Sequence, residues 1–235
     1  MLVAAAVCPT PPMLLPELAT GAATELAAAR TACSDALSVL AASRPDLLVV
    51  VGAADPDHQG AYPQGSRGTF RGFGAGADVR LGEGEEGPRL LPTSLSVGAW
   101  LLGRAGWGAA PLEGFGVAGP QDTEKCLEAG RELAAREARV ALLVMGDGSA
   151  CRSLKAPGYL DERAAAFDAE AARALAAADL PALAALDAGL AAELQAAGRA
   201  PWQVLAGAAE GAGLEGRLLY EDAPYGVGYF VAAWS

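Results

Sequence analysis

The chain has 235 residues, of which 28 are acidic and 17 are Lys or Arg, so its formal net charge is −11. This length is enough to bury a substantial core, and we expect one domain over residues 1–235. The negative charge repels a phosphate backbone and no apolar run is long enough to cross a bilayer, so we expect neither nucleic-acid nor membrane binding.

Predicted strands and helices alternate along the first half of the chain. Residues 2–7 predict a strand that ends at the proline-rich sequence CPTPP. Helical composition over residues 17–43, followed by the β-branched run DLLVVVG, completes a β-α-β unit. Residues 59–92 are rich in glycine, which indicates a long surface loop or an irregular hairpin. Residues 93–106 then suit a short buried helix.

The second half of the chain continues the alternation after a glycine-rich connection. The sequence from Asp122 to residue 138 predicts an amphipathic helix, with Asp122 and Thr123 as cap candidates. RVALLVMG is the third clear strand. Residues 161–213 have helical composition, with breaks at Pro181 and near Pro201. The sequences GRLLYED and VGYFVAAW predict two closing strands joined by the turn APYG.

These elements predict an α/β fold. Continuous hydrophobic strands that alternate with helices are typical of a mostly parallel sheet that is covered on both faces. We therefore expect a single three-layer α/β/α domain. The four cysteines lie far apart and include no C-x-x-C pair, which favours reduced thiols in a cytoplasmic protein.

The loop VMGDGSACRS, residues 144–153, follows the third strand and is the first candidate site. A loop at the carboxyl end of a buried strand is where an open α/β sheet places its ligand. Ser149 or Cys151 is a candidate nucleophile if His58 lies within reach as a base. In the alternative interpretation, Asp147 caps the following segment and the glycines supply unusual backbone angles.

A second candidate site surrounds the one histidine of the sequence. His58 lies with Asp55 and Asp57 just after the second strand, and Glu221 ends a later strand. His58, Asp57 and Glu221 are the predicted metal ligands, since imidazole and carboxylate groups bind divalent cations. The alternative is that these polar residues are ordinary solvated surface groups.

The order of these segments resembles the class III extradiol ring-cleavage dioxygenase superfamily, including its Memo-like branch. The resemblance covers nearly the whole chain: strand one with CPTPP, strand two with its acid-histidine loop, MGDGSA, the helical region GYLDERAAAFDAEAARALAAADLPALAALD, WQVLAGAA and the closing YGVGYFVAAW. The resemblance implies the fold of an enzyme that binds non-haem Fe(II) through two histidines and a glutamate. It also implies a further histidine that acts as acid and base on a catechol.

Two of the implied histidines are replaced in this sequence. The position of the first iron ligand is Thr10, and the position of the acid/base histidine is Ala150. A neutral hydroxyl is a poor iron ligand, and a methyl group cannot transfer a proton, a contribution that is typically worth 10²–10⁴ in rate. The resemblance therefore implies the framework of the enzyme without standard ring cleavage.

The leading hypothesis from the sequence is a remnant cleft that binds a small polar or aromatic molecule. Its predicted lining is Cys8, Thr10, Asp147, Ser149, Ala150 and Cys151. One alternative is a dioxygenase or hydrolase that uses Fe(II) or another divalent metal in a rebuilt site around His58. The other is an interaction scaffold that pairs with itself as a homo-oligomer, or with another subunit. The sequence identifies neither a cofactor nor a substrate.

Overall fold

The computed structural model of the protein describes residues 1–19, 24–74, 76–119 and 121–235. The strands in this part of the chain are β1 (Leu2–Cys8), β2 (Leu47–Ala54), β3 (Gly60–Tyr62), β4 (Arg67–Thr69), β5 (Asp78–Arg80), β6 (Leu112–Ala118), β7 (Val140–Met145), β8 (Gly216–Asp222) and β9 (Tyr229–Trp234). The α-helices are α1 (Ala27–Ala42), α2 (Thr93–Arg104), α3 (Thr123–Ala134), α4 (Ala164–Ala177), α5 (Leu180–Ala184), α6 (Ala188–Glu193) and α7 (Arg199–Ala208).

A large, mostly parallel sheet forms the centre of this mixed α/β fold. Among the described residues its strand order is β3-β6-β2-β7-β1-β9-β8, and the four strands from β6 to β1 run parallel. Strand β9 is antiparallel to β1, and β8 is antiparallel to β9. The carboxyl ends of β1, β2, β6 and β7 therefore lie at one edge of the sheet, where the loops that follow them meet.

Two hydrophobic clusters use alternate residues of the same strands. In β1, Ala5 and Val7 belong to the first core cluster, which also contains buried residues of α3, α4 and α7. Ala6 and Cys8 belong to the second core cluster, together with α1 and α2. Because successive side chains of a strand point to opposite faces, the two clusters lie on the two faces of the sheet.

Most predicted elements occur in the structure, but the strands β3 and β6 at one edge of the central sheet were not predicted. The β-branched run DLLVVVG forms most of β2, and Asp122 caps α3 by accepting a hydrogen bond from the backbone N–H of Glu124 at 3.0 Å. The region predicted to be a glycine-rich connection contains β6, so that part of the prediction is wrong. Gly114 and Gly116 interrupt the apolar pattern of β6, and an added Cβ at Gly116 would approach the His58 carbonyl oxygen to 2.6 Å.

The breaks predicted at Pro181 and near Pro201 occur just before these prolines, between α4 and α5 and between α6 and α7. Pro181 lies in the first turn of α5, and Pro201 is the third residue of α7. Proline is tolerated in a first turn because its missing N–H would have no intrahelical partner there. The helix predicted from residue 17 begins ten residues later, at Ala27; residues 20–23 lie outside the described residues. None of the described helices is both long enough and apolar enough to span a membrane.

Candidate functional site

The strand register brings three polar side chains into one row at the carboxyl edge of β1 and β7. Cys8 pairs with Met145 in the parallel β1–β7 ladder, and Val7 pairs with Ala232 in the antiparallel β1–β9 ladder. When both registers are continued by a few residues, Thr10 lies beside Asp147 on one side and beside Tyr229 on the other. We refer to Asp147, Thr10 and Tyr229 as the Asp147–Thr10–Tyr229 row.

Thr10 binds both carboxylate oxygens of Asp147. The Thr10 backbone N–H donates to Oδ1 at 2.7 Å, and its hydroxyl donates to Oδ2 at 2.5 Å. Burial raises the pKa of Asp147 to about 6, and these two hydrogen bonds act in the opposite direction. Asp147 therefore changes its charge near neutral pH while it remains only partly buried at the edge of the sheet.

Tyr229 is the third member of the row, and sequence reasoning did not include it among the site residues. Only 4% of its surface is exposed, and its hydroxyl forms no hydrogen bond with the residues that the structure describes; this oxygen is not enclosed, so it reaches solvent. Burial raises the pKa of Tyr229, and the charge of Asp147 raises it further. The phenol therefore stays protonated and retains both a donor and acceptor capacity.

The other side of the same loop is closed by a buried acid. The carboxylate of Asp168, on α4, accepts hydrogen bonds from the Ser149 backbone N–H at 2.7 Å and from the Ser149 hydroxyl at 2.8 Å. Arg152 donates to the same carboxylate at 3.0 Å. Ser149 and Asp168 are both fully buried. A buried serine whose hydroxyl donates to a carboxylate is not accessible to a substrate. The structure therefore does not support Ser149 as a nucleophile.

The remaining residues of the predicted lining are mostly packed into the core. Cys8 belongs to the second core cluster, and contact with the Cys33 thiol, followed by burial, raises its pKa. Cys151 is 2% exposed, and burial raises the pKa of its thiol, which disfavours a nucleophilic thiolate. Ala150 is buried as well, with its backbone N–H donating to Leu194. Of the six predicted residues, Thr10 and Asp147 present partly exposed polar groups.

The predicted metal ligands are not brought together. Asp57 and His58 form an exposed 3-10 turn after β2, whereas Glu221 lies on β8 at the far edge of the sheet. Four strand spacings of about 4.8 Å separate β2 from β8, roughly 19 Å in all. Within the described part of the chain, no group of three His, Cys, Asp or Glu residues is arranged to hold a metal ion. The prediction that His58, Asp57 and Glu221 bind one metal ion together is therefore wrong.

Two sequence signals point to the residues that were missed. Asp168 is the only acid among the buried residues of α4, in the sequence RAAAFDAEAA, and an acid on an apolar helix face indicates a buried hydrogen-bond network. Tyr229 is the first residue of the last strand, next to the predicted turn APYG. Its place opposite Thr10 follows only when β9 is known to pair with β1.

No protein-family model matches the sequence, and no curated protein matches it either. Among solved structures, the chain is similar to an uncharacterized protein of Escherichia coli K12, JW3007. The two chains are 14% identical, the match covers 99% of each chain, and the TM-score is 0.54. At this identity the similarity shows a common fold and nothing about function.

Proposed function

We propose that this protein is a divergent member of the class III extradiol dioxygenase-like superfamily which binds a small polar or aromatic molecule and does not cleave rings. In this proposal it is a single three-layer α/β/α domain with helices on both faces of the sheet. The ligand occupies the crevice at the Asp147–Thr10–Tyr229 row. It carries hydroxyl or amide groups that pair with the Asp147 carboxylate and the Tyr229 phenol.

The course of the chain around the row supports a ligand crevice at this place. The neighbouring strands β1 and β7 run parallel, but β1 leads to α1 in the second core cluster and β7 leads to α4 in the first. The loops that follow the two strands therefore separate toward opposite faces of the sheet. Open α/β sheets bind their ligands in the crevice that such a divergence creates.

The observation that carries the proposal is the Tyr229 hydroxyl. The Tyr229 side chain is nine-tenths buried, but its hydroxyl is not among the enclosed polar atoms that lack a partner, so it reaches solvent at the open edge of the sheet. The Tyr229 hydroxyl forms no hydrogen bond with the described residues, and each Asp147 oxygen accepts one bond from Thr10 and can accept another. A bound ligand with a matching polar group would complete this row.

The residues at this crevice do not fit an Fe(II) ion. A facial triad needs three strong donors. Thr10 stands where the first iron ligand would be, and its hydroxyl is committed to Asp147 as a donor. The side chain of Ala150 has no atom that can bind a metal, and His58 follows a different strand. The rebuilt metal enzyme around His58 also lacks support, since His58 follows β2 and Glu221 lies on β8, with three strands between them.

Oxygen uptake tests the absence of ring cleavage. Fe(II) is titrated anaerobically into the protein and into the His58→Ala variant by calorimetry, and catechol is then added in air. We expect the same weak Fe(II) heats from both proteins and no oxygen uptake above a protein-free control. Stoichiometric Fe(II) binding that is lost in His58→Ala, followed by oxygen uptake, would contradict the proposal and favour the metal enzyme.

A further inference from the structure

Arg199 is a buried cation with neutral partners. It is the first residue of α7 and is only 2% exposed. Its guanidinium group donates to the carbonyl oxygens of Gly119 and Gln121, at 2.5 and 2.9 Å, and to the side-chain oxygen of Gln203 at 2.8 Å. No carboxylate of the described residues forms an ion pair with it.

This arrangement leaves the charge without a counter-charge and part of the hydrogen-bonding capacity unused, at an edge that is not fully enclosed. An arginine is charged at every accessible pH and offers five N–H donors. Two bonds are formed from Nη1 and one from Nη2, so the Nε–H and one Nη2–H have no partner among the described residues. Burying a charge without a counter-charge is costly. The positive end of the α7 dipole lies at the same residue and adds to the cost.

A cavity of about 190 Å³ lies beside this guanidinium group. Its walls come from the loop after β6, from α6 with the turn that follows it, and from the start of α7. No residue that lines it in the described chain is acidic, and Gln195 is its one uncharged polar side chain. The lining consists of Gly119, Ala191, Ala192, Gln195, Ala196, Ala197, Arg199 and Ala200.

We propose that this cavity is a binding site for a small oxyanion, which pairs with the free edge of the Arg199 guanidinium group. The planar donor groups of arginine match the oxygens of a phosphate or a carboxylate. The alanine and glycine walls leave room for such a group and supply no competing charge. The site is separate from the proposed crevice, since its lining includes no member of the Asp147–Thr10–Tyr229 row.

The net charge of the chain does not attract anions, so any anion must be held by local contacts. At −11 the overall field repels anions, so an anion binds here only through close contact with a desolvated cation. In the competing interpretation Arg199 only ties the loop after β6 to α7. That role is fulfilled by its three bonds to neutral oxygens, and it predicts no effect of added anions.

Calorimetric titration with inorganic phosphate, sulfate and acetate at constant ionic strength tests the proposal. The three arms distinguish a phosphate-like ligand from a carboxylate. Ala192→Glu keeps Arg199 and its three hydrogen bonds, introduces a carboxylate from an exposed position of the cavity wall and should compete with the ligand. Ala166→Glu makes the same change at an exposed position of α4 outside the lining and is the matched control.

We expect one saturable anion per chain in the wild type and in Ala166→Glu, and at least tenfold weaker binding in Ala192→Glu. We also expect the preferred anion to raise the Tm of the wild type in a concentration-dependent manner, since a ligand of the folded state stabilises it. The proposal is overturned if none of the three anions binds saturably to the wild type. It is equally overturned if Ala192→Glu and Ala166→Glu bind the preferred anion with the same affinity.

Discussion

The two sides of the loop after β7 differ in how far their acidic side chains are buried and hydrogen-bonded. On one side, Asp168 accepts hydrogen bonds from Ser149 and Arg152 and is sealed in the core. On the other side, Asp147 is bound by Thr10 but remains partly exposed, and the neighbouring Tyr229 hydroxyl has no partner among the described residues. The comparison teaches that a buried acid whose oxygens are all paired stabilises the fold, whereas a polar row with unused hydrogen-bonding capacity at an open edge of the sheet is available to a ligand.

The largest expected effect is on the sealed side. Asp168→Ala leaves the Ser149 donors unpaired and the Arg152 charge without its partner, so we expect a loss of about 3–5 kcal/mol in the free energy of unfolding. Urea unfolding measures this loss. Asp35→Ala, at an exposed position of α1, is the control and should change the free energy by less than about 0.5 kcal/mol. Equal stabilities of the two variants would contradict a structural role for Asp168.

The close packing around Asp168 predicts the next effect. An added Cβ at Gly148 would lie 2.7 Å from Asp168 Oδ1 and 2.7 Å from Phe230 Cε2. Overpacking of this kind costs about 1–3 kcal/mol, so Gly148→Ala should unfold at a correspondingly lower urea concentration. Gly72→Ala serves as the control, because no atom lies within 4 Å of its Cβ position. A Gly148→Ala protein as stable as Gly72→Ala would show that the sealed side is loosely packed.

The contribution of Asp147, on the open side, to the free energy of unfolding should depend on pH. The folded-state pKa of Asp147 is raised from 3.8 to about 6. Its contribution to stability is therefore full below pH 4 and is lost as the pH rises through 6. Between pH 4 and pH 7 the wild type should lose on the order of 2 kcal/mol relative to Asp147→Asn. Urea unfolding of both proteins across this range measures the difference, and parallel pH profiles would show that Asp147 has an ordinary pKa.

The smallest expected effect on stability is at Tyr229. Its hydroxyl has no partner to lose among the described residues, so Tyr229→Phe should change the free energy of unfolding by less than about 0.5 kcal/mol. Tyr62→Phe is the matched control, because the Tyr62 hydroxyl donates to the His58 carbonyl oxygen at 2.7 Å. That variant should lose about 1 kcal/mol. Thermal unfolding compares the two, and a larger loss in Tyr229→Phe would reveal a hidden structural bond.

The sequence was informative where a local pattern decides the structure. The β-branched runs predicted β2 and β7, Asp122 was recognised as a cap, and the loop with Asp147 was identified as a candidate site. Strand β6 was not predicted because it contains glycines. These glycines allow β3 and the turn before it to approach closely, and this need is visible only once the sheet is assembled. A glycine-rich sequence reads as a loop when those neighbours are unknown.

The composition of the site depends on strand order, which the sequence does not contain. His58 and Glu221 both follow or end a strand, and nothing local reveals that three strands lie between β2 and β8. Tyr229 was missed for the same reason, because its proximity to Thr10 depends on the β1–β9 pairing. Local patterns therefore identified the loops, and only the pairing of distant strands determined which of their side chains meet.

Ligand binding at the Asp147–Thr10–Tyr229 row is the most direct test of the central claim. A panel of small phenols, catechols and amides is screened by saturation-transfer NMR against the wild type, Asp147→Asn, Tyr229→Phe and the control Asp35→Asn. We predict compounds that bind the wild type and Asp35→Asn saturably and that lose at least tenfold in affinity with both row variants. If no compound of the panel binds saturably, or if all four proteins bind the same compounds equally well, the row is not the ligand site.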